Sequence, residues 1–459
     1  MDYSSQAEIH EECGVFAAWG VENAARTACI ALQHLQHRGQ QGCGIAAAAP
    51  DGTIRLYKAP GLVRNVFTEE VLSTLPGSSC IGHVRYPTTD VGGRENIQPF
   101  RMTDRKGPFA VAHNGNIVNA AVLRNHLEAE GALSLSTSDS EIFGHLIGRG
   151  HPDADRTAGI LSATRMLDGG FSTVILTPDA IYACRDRYGL RPLSVGTLGD
   201  GYVVASETCA FQGLGARFLR DIEPGELVRI DRHGIRSFPH PDAGQGCLCA
   251  MEYIYFARPD SILEGCGAYS FRERSGHLLC QEHPVEADLV TGIPESGLAA
   301  AIGYAAESGI PLEMGLIKNM YVARTFIQPA QHLRDLAVRM KFSPMDDIVR
   351  GKRIVVVDDS IVRGTTLRQL IRLFRDAGAT QIHIRIASPK YAFPCYYGID
   401  TGSREQLIGA DNDVPDICRY LGADSLAYLS EEALYRASGR KRLCTACFSG
   451  HYPTDLYQT

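Results

Sequence analysis

The chain has 459 residues, of which 44% are hydrophobic and 21% charged, a balance ordinary for a soluble globular protein with two or three substantial cores. A formal net charge of −7 argues against a non-specific nucleic-acid surface. No run reaches the roughly 18 apolar residues of a membrane span, and the opening MDYSSQAEIHEE is too polar and acidic for a secretory signal, so a cytoplasmic location is expected.

Fourteen cysteines are present, and a reducing compartment makes a disulfide framework unexpected. Cys29, Cys43, Cys80, Cys184, Cys209, Cys280 and Cys418 lie among apolar or small residues and read as small core side chains. Cys13 opens an apolar run that reads as the start of a buried strand. Residues 24–37 have helical spacing, and Arg38-Gly39-Gln40-Gln41-Gly42 turns into a strand over 44–49. Five polar turns follow between short strands. They carry Gly82-His83-Val84-Arg85-Tyr86, Asn96-Ile97-Gln98-Pro99-Phe100, His113-Asn114-Gly115-Asn116, Ser138-Asp139-Ser140-Glu141 and Cys184-Arg185-Asp186-Arg187-Tyr188-Gly189. Over 239–246 the composition shifts to Pro, Asp, Gly and His, which suits a connector. The next stretch, 249–261, alternates apolar and polar residues and is expected to be a strand ending in a turn.

Residues 287–291 read as a strand, and Gly292-Ile293-Pro294-Glu295-Ser296-Gly297 as a tight turn into a helix starting at Leu298. Such a turn can present amides to a pyrophosphate. The most informative stretch is 353–366, RIVVVDDSIVRGTT. Ile354, Val355, Val356 and Val357 form a β-branched run typical of a buried parallel strand. Asp358 and Asp359 stand at its carboxyl end, where open α/β sheets bind ligands. Arg363-Gly364-Thr365-Thr366 then leads into a helix with Leu367, Leu370, Ile371 and Phe374 on one face. Hydroxyls and amides at a helix N-terminus hold phosphate, and paired acids take ribose hydroxyls and Mg²⁺. The last signal is Cys444-Thr445-Ala446-Cys447, which with Cys249 and Cys395 makes four thiols. That set suits zinc or a 4Fe–4S cluster, and spacing does not choose. Cys247 is a rival ligand to Cys249, and Cys266 reads as unligated.

The stretch 353–366 resembles the phosphoribosyl pyrophosphate (PRPP) loop of type I phosphoribosyltransferases. The five turns, in their order over 13–240, resemble the glutaminase domain of class II, N-terminal-nucleophile amidotransferases. Both together, with the junction at 249–261, resemble the amidophosphoribosyltransferases, in the branch that carries an iron–sulfur cluster and a leader. The resemblance implies an α/β chain: a propeptide over 1–12, a four-layer αββα glutaminase over 13–240, and a parallel α/β phosphoribosyltransferase over 247–459 with a C-terminal cluster segment. It implies the conversion of glutamine, PRPP and water to 5-phosphoribosylamine, glutamate and pyrophosphate. Two alternatives are a glutaminase serving another acceptor and a non-catalytic PRPP-binding regulator.

By that resemblance, Cys13 is the nucleophile once the leader is cleaved after Glu12. A free α-amine titrates near about 8 and can act as the base beside its own thiol. Asn114 and the Gly115 amide form the oxyanion hole, Arg85 binds the glutamine carboxylate, and Asp139 binds its ammonium. His83 and His113 are structural, since the family needs no histidine base. Ser296, Asp358 and Asp359 belong to the Mg²⁺ set. Glu295, Lys318, Arg324, Arg363, Gly364, Thr365 and Thr366 contact PRPP, with 318–327 resembling the loop that closes over it. Cys249, Cys395, Cys444 and Cys447 ligate the 4Fe–4S cluster, with zinc the less favoured metal. The resemblance further implies a homotetramer and nucleotide feedback inhibitors, with no nucleic-acid or membrane partner.

Overall fold

The computed structural model describes residues 13–86, 94–134, 136–149, 155–319, 321, 338–399, 401 and 403–456. The leader 1–12, Arg324 and most of the 318–327 stretch therefore lie outside the described residues.

Strand alternation builds the N-terminal part. In Gly14–Trp19, Val15 and Ala17 point one way and Phe16 and Ala18 the other, as a period of two requires. This strand sits inside a seven-stranded antiparallel sheet, paired with Ser79–Arg85 on one side and Gly201–Ala205 on the other. Val15, Ala17, Ile81 and Val204 meet Ala110, Ala112, Val174 and Ala183 of a second, six-stranded sheet, forming the core between the sheets. On the far side of the first sheet, Phe16 and Ala18 pack against the helix Ala24–His34. On the far side of the second, Phe109, Val111 and Ile175 pack against Asp139–Gly148 and its neighbours. The order of layers is helix, sheet, sheet, helix.

The second part is a four-stranded parallel sheet in the order Leu289–Gly292, Arg353–Asp358, Gln381–Ile386, Ser425–Tyr428. Its apolar strands are covered on both faces. Val290, Val355 and Val357 pack on one side with Phe271, Leu279 and Ala301 of the helices Ala268–Glu282 and Leu298–Ser308. Ile354 and Val356 pack on the other with Leu367, Leu370, Ile371 and Phe374 of Thr365–Asp376. The apolar face expected for that helix is the one it buries.

Two expectations are corrected. The stretch 249–261 is not a strand: it holds a π-helical turn, Glu252–Phe256. Arg272 explains the turn, donating to the carbonyls of Tyr253 (2.8 Å), Tyr255 (2.9 Å) and Ala257 (2.6 Å), which a sheet ladder would otherwise have to satisfy. The polar Glu252 of the apparent alternation points into the interior, where it meets two arginines rather than solvent. Cys418 is only half-buried at the end of Val414–Leu421, whereas the other six cysteines read as core residues are buried.

Candidate active site

Cys13 precedes the central strand Gly14–Trp19, half-buried, with its thiol donating to the Tyr86 carbonyl at 3.5 Å. Burial pushes the thiol up, opposed by the Tyr86 contact and by the guanidiniums of Arg85 and Arg38, while Asp139 pushes it further up. Arg85 ends the strand Ser79–Arg85 and Asp139 opens a helix, yet the charges of both act on the same sulfur. Asp139 opens the helix Asp139–Gly148, and its Oδ2 accepts the Ile117 amide at 3.0 Å.

Asn114 and Gly115 lie side by side in the strand Gly107–Ile117. The Asn114 side chain is fully buried, and neither its Nδ2 nor its Oδ1 has a hydrogen-bond partner among the described residues. A buried amide without partners costs free energy unless a ligand completes it. Gly115 has φ 120°, and a Cβ there would fall 2.0 Å from the Gly170 carbonyl, so only glycine lets the two strands close at this point. His83 is fully buried and burial holds it well below the usual imidazole range, so it stays neutral. His113 Nδ1 pairs with Ser140 Oγ at 2.8 Å, and its backbone is clasped by Gln98.

The second site opens at the carboxyl ends of the parallel strands. A cavity of about 380 Å³ is lined by Glu295, Ser296, Lys318, Asp358 and Asp359 together with Arg363, Gly364, Thr365 and Thr366. All the described residues expected to contact PRPP or Mg²⁺ therefore line one cavity. Gly297 lets the 293–297 turn approach the strand, since a Cβ there would lie 2.4 Å from the Val357 carbonyl. Ser296 Oγ donates to Asp358 Oδ1 at 3.5 Å, and the Lys318 ammonium stands 4.0 Å from Glu295. Burial raises the Asp359 carboxyl, and the Ser296 and Ser360 hydroxyls and Arg272 oppose it. Arg363 is anchored to the Gln406 side chain.

Residues that sequence reasoning missed also line this cavity: His37, Arg258, Arg272 and Lys341. His37 is notable because it belongs to the N-terminal part. It ends the helical stretch beside Arg38, a fully buried arginine whose Nε donates to the Cys13 carbonyl at 3.1 Å. Arg38 also binds Glu207 (2.6 Å) and both oxygens of Glu252 (2.9 and 2.8 Å). Glu207 accepts from His37 (2.8 Å), Ser261 Oγ (2.6 Å) and the Arg258 amide (2.9 Å). Arg191 reaches Glu252 at 3.3 Å and the Tyr397 carbonyl at 3.2 Å through Nε. Burial would neutralise Arg38 and Glu207, but their opposite charges outweigh it. Arg38 is held above its usual range by Glu252 and Glu207, and Glu207 is held below its own by His37 and Arg38. Nothing local in the sequence announces pairs this far apart.

The four cysteines also meet. Cys249 and Cys444 are bridged as parallel neighbours, the Ala250 amide donating to the Cys444 carbonyl at 3.0 Å. Ala392 and Phe393 donate to the Cys447 carbonyl at 3.0 Å, bringing the Cys395 loop alongside. Burial pushes the Cys249 thiol up to about 12, with Cys444 and Cys395 adding to the rise and Arg191 opposing it. The Tyr397 amide donates to Cys395 Sγ at 3.3 Å. Cys247, half-buried, faces Cys444 as well, so it shares the neighbourhood. Soft, buried thiols with an amide donor to sulfur fit an iron–sulfur cluster. Among the described residues no three His, Cys, Asp or Glu side chains form a cage for a single ion. No helix of the described residues is long and apolar enough to cross a membrane.

Comparisons with known proteins follow the same division. Residues 83–213 match a glutamine amidotransferase domain, and residues 281–390 a phosphoribosyl transferase domain. The chain is 49% identical to the amidophosphoribosyltransferase of Bacillus subtilis, over 98% of this chain and 96% of that one. It is 48% identical to that of Synechococcus elongatus, over 97% and 92%. The solved structure of the B. subtilis glutamine PRPP amidotransferase, complexed with ADP and GMP, superposes with a TM-score of 0.92. It is 47% identical and covers 97% of this chain and 98% of that one.

Proposed function

The chain belongs to the amidophosphoribosyltransferase family, and on that premise we propose how its residues divide the work. The enzyme converts glutamine, PRPP and water to 5-phosphoribosylamine, glutamate and pyrophosphate in purine biosynthesis. In our reading residues 13–240 form the glutaminase and 247–459 the transferase.

Removal of residues 1–12 frees the Cys13 α-amine as the base that takes the thiol proton. The thiolate attacks the glutamine amide carbon, and the oxygen of the tetrahedral intermediate is met by Asn114 Nδ2 and the Gly115 amide. The buried Asn114 amide without protein partners supports that role. Arg85 grips the substrate carboxylate with a forked guanidinium, and Asp139 its ammonium. As the intermediate collapses, the Cys13 α-ammonium returns its proton to the departing ammonia, and water then hydrolyses the glutamyl thioester to release glutamate and restore the thiol. The ammonia passes to the transferase cavity, where it attacks the ribose C1 as pyrophosphate departs. Thr365, Thr366 and the amide of Gly364 hold the 5-phosphate at the helix N-terminus. Glu295, Lys318, Arg324 and Arg363 contact the pyrophosphate side; Arg324 lies outside the described residues. Ser296, Asp358 and Asp359 would hold Mg²⁺, which supplies charge neutralisation for the leaving pyrophosphate. Two carboxylates suffice, because Mg²⁺ keeps waters and takes the rest of its ligands from substrate phosphates.

Cys249, Cys395, Cys444 and Cys447 would hold a 4Fe–4S cluster, which supplies a structural clamp between three chain segments. The near-full-length likeness to the amidophosphoribosyltransferases, one branch of which carries such a cluster, favours it over zinc. The ADP and GMP in the B. subtilis relative support purine nucleotides as feedback inhibitors. We further propose a cytoplasmic homotetramer.

One observation carries internal ammonia transfer: the Gln36–Arg38 turn touches both sites, Arg38 at the Cys13 carbonyl and His37 in the PRPP cavity. With amide-¹⁵N glutamine and excess unlabelled ammonium in the medium, the phosphoribosylamine nitrogen is expected to be chiefly ¹⁵N. Label diluted to the ratio in the medium would mean that ammonia passes through solvent. PRPP is expected to raise glutaminase turnover through the 318–327 loop, and equal rates with and without PRPP would contradict that.

A further inference from the structure

Tyr391 is fully buried, yet its hydroxyl makes no well-formed hydrogen bond among the described residues. Buried tyrosine hydroxyls ordinarily find a partner, because leaving one without is costly. Its surroundings indicate where a partner would sit. The ring meets Phe448 edge-on, 5.7 Å between centroids at 84°, and Phe448 follows Cys447 directly. The next two residues, Ala392 and Phe393, donate their amides to the Cys447 carbonyl at 3.0 Å. Cys249 and Cys447 belong to the same core cluster as Tyr391, and Cys395 packs against that cluster. Three of the four thiols assigned to the iron–sulfur site therefore lie in the tyrosine's own packing environment.

We propose that Tyr391 donates its hydroxyl proton to sulfur at the cluster, most directly to the Cys447 thiolate, and so sets the cluster's reduction potential. The inference rests on the iron–sulfur reading above. A thiolate is a far better acceptor than a neutral thiol. The Tyr397 amide already donates to the Cys395 sulfur, so two of the four ligands would carry a donor from the same loop. A donor to sulfur withdraws electron density and favours the more negative, reduced cluster, raising the potential.

Tyr428 provides the control. It too is buried with an unpartnered hydroxyl, but the cysteine facing it is Cys418, outside the four. The test uses full-length protein purified anaerobically as wild type, Tyr391→Phe and Tyr428→Phe, each analysed for iron and titrated spectroelectrochemically. With equal iron, Tyr391→Phe should shift the midpoint potential to more negative values, while Tyr428→Phe should match wild type. Equal potentials in all three overturn the proposal and leave the cluster assignment standing. Wild-type protein without iron overturns both. Should Tyr391→Phe fail to fold, the near-isosteric Tyr391→3-fluorotyrosine decides. Its more acidic phenol should move the potential positive, and an unchanged value refutes the role.

Discussion

His37 and Arg38 are consecutive residues that face two different sites. The Arg38 guanidinium holds the carbonyl of Cys13, whereas the His37 ring lines the cavity that contains Asp358 and Asp359. Both side chains end on the same buried carboxylate, Glu207, at 2.6 and 2.8 Å. A displacement of either ring or guanidinium is therefore felt by the other through one shared oxygen, which gives the two reactions a common mechanical part.

The separation of the two chemistries predicts separable defects. Cys13→Ala should lower glutamine-dependent activity by about 10³-fold or more, because nothing else supplies the nucleophile. Activity with ammonia should persist, since it enters after that step. Asp358→Asn should impair both, because it strikes the shared transferase site. Steady-state assays with each nitrogen donor check the pattern, and loss of ammonia-dependent activity in Cys13→Ala would speak against it.

Asn114→Ala should lower kcat for glutamine hydrolysis by about 10²–10³, the usual effect of removing one oxyanion donor. KM for glutamine should change little, since Arg85 and Asp139 are untouched. A mutant with raised KM and unchanged kcat would place Asn114 in ground-state binding instead.

Glu252 is fully buried between Arg38 and Arg191. Removing one partner from such a network leaves uncompensated buried charge, so Glu252→Gln should cost about 3–5 kcal/mol of stability. Urea unfolding of the purified variant measures this, and a loss below about 1 kcal/mol would show that water or rearrangement replaces the carboxylate.

Asp186 gives a pH dependence with a definite sign. Burial raises its carboxyl to about 6, against the pull of Arg185 and of the Leu190, Tyr188 and Phe171 amides. The folded state therefore binds a proton that the unfolded state has released between the ordinary carboxylate pKa and pH 6. Stability from this group is present at low pH and declines as pH rises through that window, by about 2–3 kcal/mol. The stability gap between wild type and Asp186→Asn, followed by urea unfolding from pH 4 to 7, should move against wild type by that amount. A constant gap would mean that the amides hold the carboxylate charged throughout.

What the sequence revealed and what it concealed have a common explanation. The strand Arg353–Asp358, the acids after it and the helix Thr365–Asp376 are coded within some two dozen consecutive residues, by β-branching, glycine and a 3.6-residue period, and they were legible. Motifs whose order carries the resemblance also singled out Cys13 and Asp139, and the structure sets Asp139 where its charge acts on the Cys13 thiol. The 249–261 stretch misled because its alternation arises from burial on all sides, with Arg272 satisfying the backbone from another helix. The Arg38–Glu252 pair spans 214 positions, and His37, next to Arg38, lines the cavity that holds Asp358 and Asp359. Tertiary charge pairing of this kind leaves no periodic trace in a single chain.

The parallel bridge between Cys249 and Cys444 has a consequence for biosynthesis. It joins the first and last segments of the transferase part, so nearly two hundred residues must be made between one thiol and its neighbour. During translation Cys249 is made well before Cys444 and Cys447 exist, at about 5–20 residues per second. The early thiol must wait, reduced and without its companions, while the parallel sheet assembles around it. A chain that stops short of residue 444 keeps the whole N-terminal part but lacks the segment that pairs with Cys249.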